Sequence, residues 1–337
     1  MVHTIQEQQV ISARTLLEDP NFSLEEKVEM LMELAMGLQH KPKSVDQLHQ
    51  ALELYAEAFK LCPPGEALLQ ARIRARTATA LQSIPHQGTE FLQEAREHYE
   101  QATPILKQLG LPEELAEAEM NLGLVLQSLT SAGEARITDV IAAYQRSLRV
   151  FTRSRYPTEF AILHNNLATA FLSIPMSDER GKMREALAVQ SFEEALSVVT
   201  LIDHPSEYAM LQNNLGNALQ YCQSSHPLEN NLRALEAYDE ALKVRNARDT
   251  PMEYANTISN KANVLWNLST AAAGEEAARL CLEAKALYEE AARLFGEYGD
   301  WEKQSIVSNA LAELEQDLPT TRTEQAPEFP GASSVVS

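Results

Sequence analysis

Basic residues are in short supply. The chain carries 28 lysines and arginines against 48 aspartates and glutamates, a formal net charge of −20. Nucleic-acid binding draws on a basic footprint, and docking on an anionic membrane surface needs one as well. Neither is expected. The acidity serves solubility and, where a partner reads it, points to a basic one. There are only three cysteines, Cys62, Cys222 and Cys281, far apart and without a CxxC pair. A sparse, odd set argues against a disulfide framework and fits a reducing compartment. Long apolar runs are missing, and nothing approaches the roughly 18 residues of a membrane span. The opening residues, MVHTIQEQQVISARTLLEDP, put acids and amides where a signal peptide needs an apolar core. The expected location is the cytoplasm.

Motifs of catalysis are missing too. No GxGxxG, Walker or GxSxG pattern occurs. The histidines form neither HExxH nor a Cys/His ligand cluster, so no metal and no cofactor is expected. His164 and Cys222 fall in one neighbourhood of the repeat pattern, but a buried structural cysteine is favoured over a nucleophilic pair. The chain is not expected to be an enzyme. Glycine (12 residues) and aromatics (6%) are scarce, strand-type clusters are missing, and Ala, Leu, Glu and Gln dominate. These are good helix formers, and the expected class is all-α.

What the chain does have is a repeat. PSEYAMLQNNLGNALQ begins at Pro205, and related stretches begin at Pro112, Pro157 and Pro251. The eleventh residue after each proline is small: Gly123, Ala168, Gly216 and Ala262. Ala35 and Ala78 keep the same register without the proline, and Leu311 marks a last, unpaired copy. A second pattern follows each full copy: a small residue, an aromatic four later, and a small residue three after that. The sets are Ala51-Tyr55-Ala58, Ala95-Tyr99-Ala102, Val140-Tyr144-Ser147, Ala188-Phe192-Ala195, Ala234-Tyr238-Ala241 and Ala284-Tyr288-Ala291. Offsets of four and three put each set on one helix face. Small residues there let helices approach closely, and the ring fills the wedge between them.

The steps between first-helix small residues are 43, 45, 45, 48, 46 and 49. From the last small residue of a second helix to the next first-helix position the distance is always 20 or 21. The junction between repeats is therefore fixed while the turn within a repeat varies, as stacking on nearest neighbours requires. The variable segments include SIPMSDERGKMRE, QSSHPLENN and STAAAGEEA, which read as loops. Pro112, Pro157, Pro205 and Pro251 suit the first turn of a helix. Glu113, Glu159, Glu207 and Glu253 follow, where the helix dipole favours an acid. The expected organisation is a capping helix within 1–22, repeats over 23–63, 64–111, 112–156, 157–204, 205–250 and 251–298, a second cap over 299–317, and a disordered Pro/Ser/Thr-rich tail over 318–337.

A small residue in a first helix, followed by Ala-x-x-x-aromatic-x-x-Ala in a second, resembles the tetratricopeptide repeat. The likeness covers roughly residues 23–317. The steps are longer than the usual 34 residues of that family, and Lys261 stands where other copies have Leu122, Leu167 and Leu215. Long repeats with NNLG runs are similar to CHAT-associated and kinesin-light-chain-like arrays. The resemblance implies a right-handed α-solenoid of about six helical hairpins with capping helices, its first helices lining a concave groove.

On those first helices, the residue two before the small position is Asn121, Asn166, Asn214, Asn260 and Asn309 in successive copies. Asparagine is poor in a helix interior, so its recurrence needs a reason. Gln127, Asn217, Gln220, Asn263 and Trp266 lie close by in the pattern. Under the resemblance this column is similar to the asparagine ladder by which some members hold a peptide backbone. An amide offers both donor and acceptor to any peptide unit. The alternative is that the amides bond to neighbouring helices; Trp266 is either a core wedge or an exposed anchor. Family members that grip a C-terminal carboxylate use clustered cations, whereas only Arg76 and Lys261 stand near this column. The expected function is an adaptor that binds a peptide or partner protein. The alternative is a regulatory or sensor subunit of a separately encoded enzyme such as a protease.

Overall fold

The structure is a computed structural model that describes residues 21–85, 88–173, 179–222 and 226–317. Among them are thirteen α-helices and no strand. The capping helix expected near the N-terminus and the expected tail fall on residues 1–20 and 318–337, outside the described residues. The helices are α1 (Leu24–His40), α2 (Val45–Leu61), α3 (Ala67–Gln82), α4 (Glu90–Leu109), α5 (Pro112–Ser131), α6 (Ile137–Ser147), α7 (Pro157–Leu172), α8 (Glu179–Leu196), α9 (Pro205–Tyr221), α10 (Pro227–Leu242), α11 (Pro251–Ala271), α12 (Gly274–Glu297) and α13 (Trp301–Asp317).

The chain divides into two compact units, residues up to 224 and residues from 225. In the first, α1–α2, α3–α4, α5–α6 and α7–α8 pair as hairpins, and each second helix also packs on the first helix that follows it, α8 on α9 included. In the second unit α10 packs on α11, α11 on α12 and α12 on α13. Each helix thus rests on its chain neighbours, the pattern of a helical-repeat fold.

Local chemistry sets the helix starts. Ser23 and Glu26 cap α1 reciprocally: the Glu26 N–H donates to Ser23 Oγ at 3.2 Å, and the Ser23 N–H donates to Glu26 Oε2 at 2.8 Å. Pro112, Pro157, Pro205 and Pro251 each open a helix, as does Pro227, with an acid in every one of those first turns. A proline ring is pre-set for that position and its missing N–H is not needed there.

The fixed junction has a structural cause. Tyr156, His204 and Thr250 precede α7, α9 and α11 with nearly one backbone geometry, φ −139°, −140° and −137° and ψ 63°, 64° and 55°. Each closes the same turn through its N–H, onto the carbonyl of Thr152, Thr200 or Asn246. The variable segments differ from the expectation. STAAAGEEA is nearly all helix, since α11 runs to Ala271 and α12 starts at Gly274. PLENN lies inside α10 and the run from Glu179 inside α8. Alanine and glutamate favour helix, and Pro227 sits at a first helical position where proline starts a helix rather than breaking one; extra residues therefore lengthen helices more than turns.

Second-helix rings make the core. Tyr55, Tyr99, Tyr144, Phe192, Tyr238 and Tyr288 are each no more than 1% exposed, and the small residues four before and three after them are fully buried. The first-helix positions Ala35, Ala78, Gly123, Ala168, Gly216 and Ala262 are buried as well. Gly123 shows why they must be small: a Cβ there would meet Cε1 of Tyr144 at 2.4 Å. Below the rings, the Ser147 hydroxyl donates to the Ala116 carbonyl at 2.8 Å, and Arg146 grips Glu119 through two bonds of 2.8 and 2.7 Å, clipping α6 to α5.

Two glycines give opposite expectations. At exposed Gly37 an added Cβ meets nothing within 4 Å, so Gly37→Ala should stabilise α1 by about 0.5–1 kcal/mol. Gly123→Ala gains the same propensity but overpacks the Tyr144 ring, which costs about 1–3 kcal/mol. Thermal melting should rise for the first variant and fall for the second; a rise for both would show that the ring does not rest on Gly123.

Candidate functional site

The asparagines of the first helices lie where side chains of adjacent helices meet. Asn121 on α5, Asn166 on α7 and Asn214 on α9 are half-buried, as are Asn260 and Trp266 on α11, whereas Asn309 on α13 is exposed. Asn121 is within hydrogen-bond reach of the Tyr99 hydroxyl of the preceding hairpin, which also contacts Thr79 Oγ1 at 2.8 Å. Asn214 Nδ2 donates to Asn165 Oδ1 at 3.4 Å, and Asn165 Nδ2 donates to Asn166 Oδ1 at 3.3 Å. Asn165 thus joins the asparagines of α7 and α9. It sits one place before the repeating column, a position filled by Met120 in the preceding copy, so its role does not show in the periodicity.

The amides further along have partners of their own. Gln127 Oε1 accepts from the Tyr144 hydroxyl at 2.8 Å, and Asn263 Oδ1 accepts from the Tyr288 hydroxyl. Gln39 does the same for Tyr55 at 3.0 Å. Asn217, Gln220 and Asn260 likewise make polar contacts. A buried phenol needs such a partner, and burial pushes the Tyr55, Tyr99 and Tyr144 phenols well above their ordinary range. Gln127 and Asn263 therefore have a structural duty in the hairpin.

Cations near the column are neutralised by adjacent acids. Arg76 on α3 meets Glu117 on α5 at 2.9 Å, and Arg72 meets Glu114 at 2.6 Å. Lys261 meets Asp239 on α10 at 2.7 Å. The faces of these helices present amides and paired charges.

An opening interrupts the first unit. The first helices α1, α3, α5 and α7 touch in succession, while α7 and α9 touch less. Between α7 and α9 lies a cleft of about 230 Å³, lined by Ile162 and Asn165 on α7, Val199 and His204 on the connection, and Met210 and Leu211 on α9. No residue among them was singled out by the amide pattern.

His164 sits half-buried on α7. Its ring lies against Phe160, with centroids 4.3 Å apart, and its buried Nδ1 makes no hydrogen bond among the described residues. His98 Nδ1 is in the same situation. Burial pushes both imidazoles below their usual pKa, with Arg74 adding to the effect at His98. Since unfolded histidine takes up its proton near pH 6.5 and the folded one only lower, stability held above about pH 6.5 is lost as pH falls through that window. Urea unfolding should show this fall between about pH 7 and 5, and His98→Leu with His164→Leu should flatten it. An unchanged slope in the double variant would contradict the assignment.

The chain matches no protein-family model, and no curated protein matches it. Solved structures do resemble it. BtubC (BKLC) from P. vanneervenii aligns with a TM-score of 0.51 and 20% identity over 72% of this chain and 92% of its own. PilF of Pseudomonas aeruginosa aligns at 0.49 and 15% over 81% and 99%. At these identities the likeness concerns the fold alone, which is an all-α, tetratricopeptide-like helical repeat.

Proposed function

We propose that this chain is a protein-interaction scaffold of the cytoplasm, which holds an extended segment of a partner protein along the face of its first helices and performs no catalysis itself. On this reading residues 23–298 form six repeats of the long variety, similar to CHAT-associated and kinesin-light-chain-like arrays, closed by the helix over 299–317. The observation that carries the proposal is the amide column of the first unit: Asn121, Asn166 and Asn214 are half-buried at equivalent positions of α5, α7 and α9. A carboxamide has two donors and a carbonyl acceptor, so the contacts among Asn165, Asn166 and Asn214 hold these groups in place while using only part of their capacity. Fixed amides that read main chain suit a segment of varied sequence. The paired state of Arg72, Arg76 and Lys261 favours such main-chain recognition over capture of a terminal carboxylate. Cys62, Cys222 and Cys281 form no disulfide among the described residues, which fits a reducing compartment, and among the described residues no helix is long and apolar enough to cross a membrane.

The test is the triple variant Asn121→Ala, Asn166→Ala and Asn214→Ala. Partners captured by the wild-type chain from native lysate are identified by mass spectrometry, and their affinity for both proteins is then measured by calorimetry. Each amide hydrogen bond is worth about 0.5–1.5 kcal/mol net, so the three together should cost about 2–4 kcal/mol of binding. Melting should be little changed, since alanine is the better helix former. Unchanged affinity would remove the column as the binding site, and loss of folding would show that the asparagines serve to join helices.

A further inference from the structure

The cleft between α7 and α9 has a counterpart in the sequence. One helical turn before each column asparagine lies a position on the same stripe. It is Glu117, Asn256 and Ser305 in three copies, and in the two earlier copies, where Glu33 and Arg76 stand in place of the asparagine, it is Glu29 and Arg72, so all five are polar. In the two copies that border the cleft it is Ile162 and Met210, which remain 44% and 39% exposed. Two adjacent aliphatic residues at a position otherwise kept polar are not explained by the core, which they do not enter. They face one opening together with Val198, Val199 and Leu211. Asn165, which joins the amides of α7 and α9, also lines it.

Its charge is one-sided. Glu207 lines the cleft, and Glu159 stands half-buried at the equivalent first-turn position of α7, outside the lining. The nearby Arg153 guanidinium donates to the Ser197 carbonyl at 3.2 Å. The whole chain carries −20.

We infer that this cleft is an anchor pocket for one bulky aliphatic side chain of a bound peptide, and that the peptide carries a lysine or arginine beside that anchor. The inference rests on the reading of the first-helix face as a peptide-binding surface, and it adds the residue class that the face selects. A cavity of about 230 Å³ has room for a leucine, isoleucine or methionine side chain. The amides of Asn165, Asn166 and Asn214 lie next to it, where they can meet the main chain on either side of the anchor. Glu207 and Glu159 then face the flanking basic group.

The probe is a set of fluorescein-labelled decapeptides of serine and glycine, differing only at the centre: leucine flanked by lysines, serine flanked by lysines, and leucine flanked by glutamates. Binding is followed by fluorescence polarisation and by the ¹³C-methyl signals of Ile162 and Met210, assigned through Ile162→Val and Met210→Leu. The leucine–lysine peptide should bind about tenfold or more tightly than the serine–lysine peptide, as apolar pockets discriminate. It should shift both methyl signals and weaken as salt is raised. Ile162→Ser with Met210→Ser should abolish the leucine preference while leaving melting unchanged. If leucine and serine peptides bind alike, the anchor is overturned and the main-chain reading survives; if none binds, both fall. Preference for the glutamate-flanked peptide overturns the basic neighbour. A wild-type dimer in sedimentation that Ile162→Ser and Met210→Ser dissolves would make the cleft an interface between copies and overturn the proposal.

Discussion

Six rings, Tyr55, Tyr99, Tyr144, Phe192, Tyr238 and Tyr288, are enclosed by helices, each between two small residues of its own helix. That wedge is the constraint on which the other features depend. A ring of this size between close helices leaves no volume for a side chain opposite, as the 2.4 Å approach at Gly123 shows. The tyrosines among them also carry a hydroxyl that must be satisfied once buried. Thr79, Gln39, Gln127 and Asn263 meet that need. The polar residues of the first helices are thus partly dictated from below by the core.

This is why the fold was legible in the sequence and the candidate site only in part. Helix type, hairpin pairing and the buried faces follow from spacings of three and four that recur along the chain, and the junction follows from its constant length. The turns are less legible because Pro, Gly and Ser signal breaks in a sequence, whereas Pro227 opens a helix and alanines carry α11 to Ala271. At the site, the periodicity located the amides but not their partners. Gln127 and Asn263 have the same chemistry as the column asparagines, yet they bond to tyrosines of their own hairpins. Asn165 and the pair Ile162 and Met210 break the repeat, and a departure from periodicity is invisible to a search for periodicity.

The two parts of the functional reading draw on different physics. Amides held by one another offer directional bonds to any main chain, each worth little. An apolar cleft offers non-directional burial to one side chain, worth more. A scaffold that combined them would hold many sequences weakly and favour those with an aliphatic residue at one place. The paired arginines on α3 add little to either, since exposed ion pairs contribute about 0–1 kcal/mol.

The claim that carries the rest is that each ring stabilises its own hairpin to a similar degree. Replacing the six rings by alanine one at a time and following unfolding in urea is the most direct test. Every replacement should cost about 3–5 kcal/mol, as loss of a large core aromatic does. A ring whose removal costs no more than a surface substitution would contradict the account, because that hairpin would then be held by something other than the wedge.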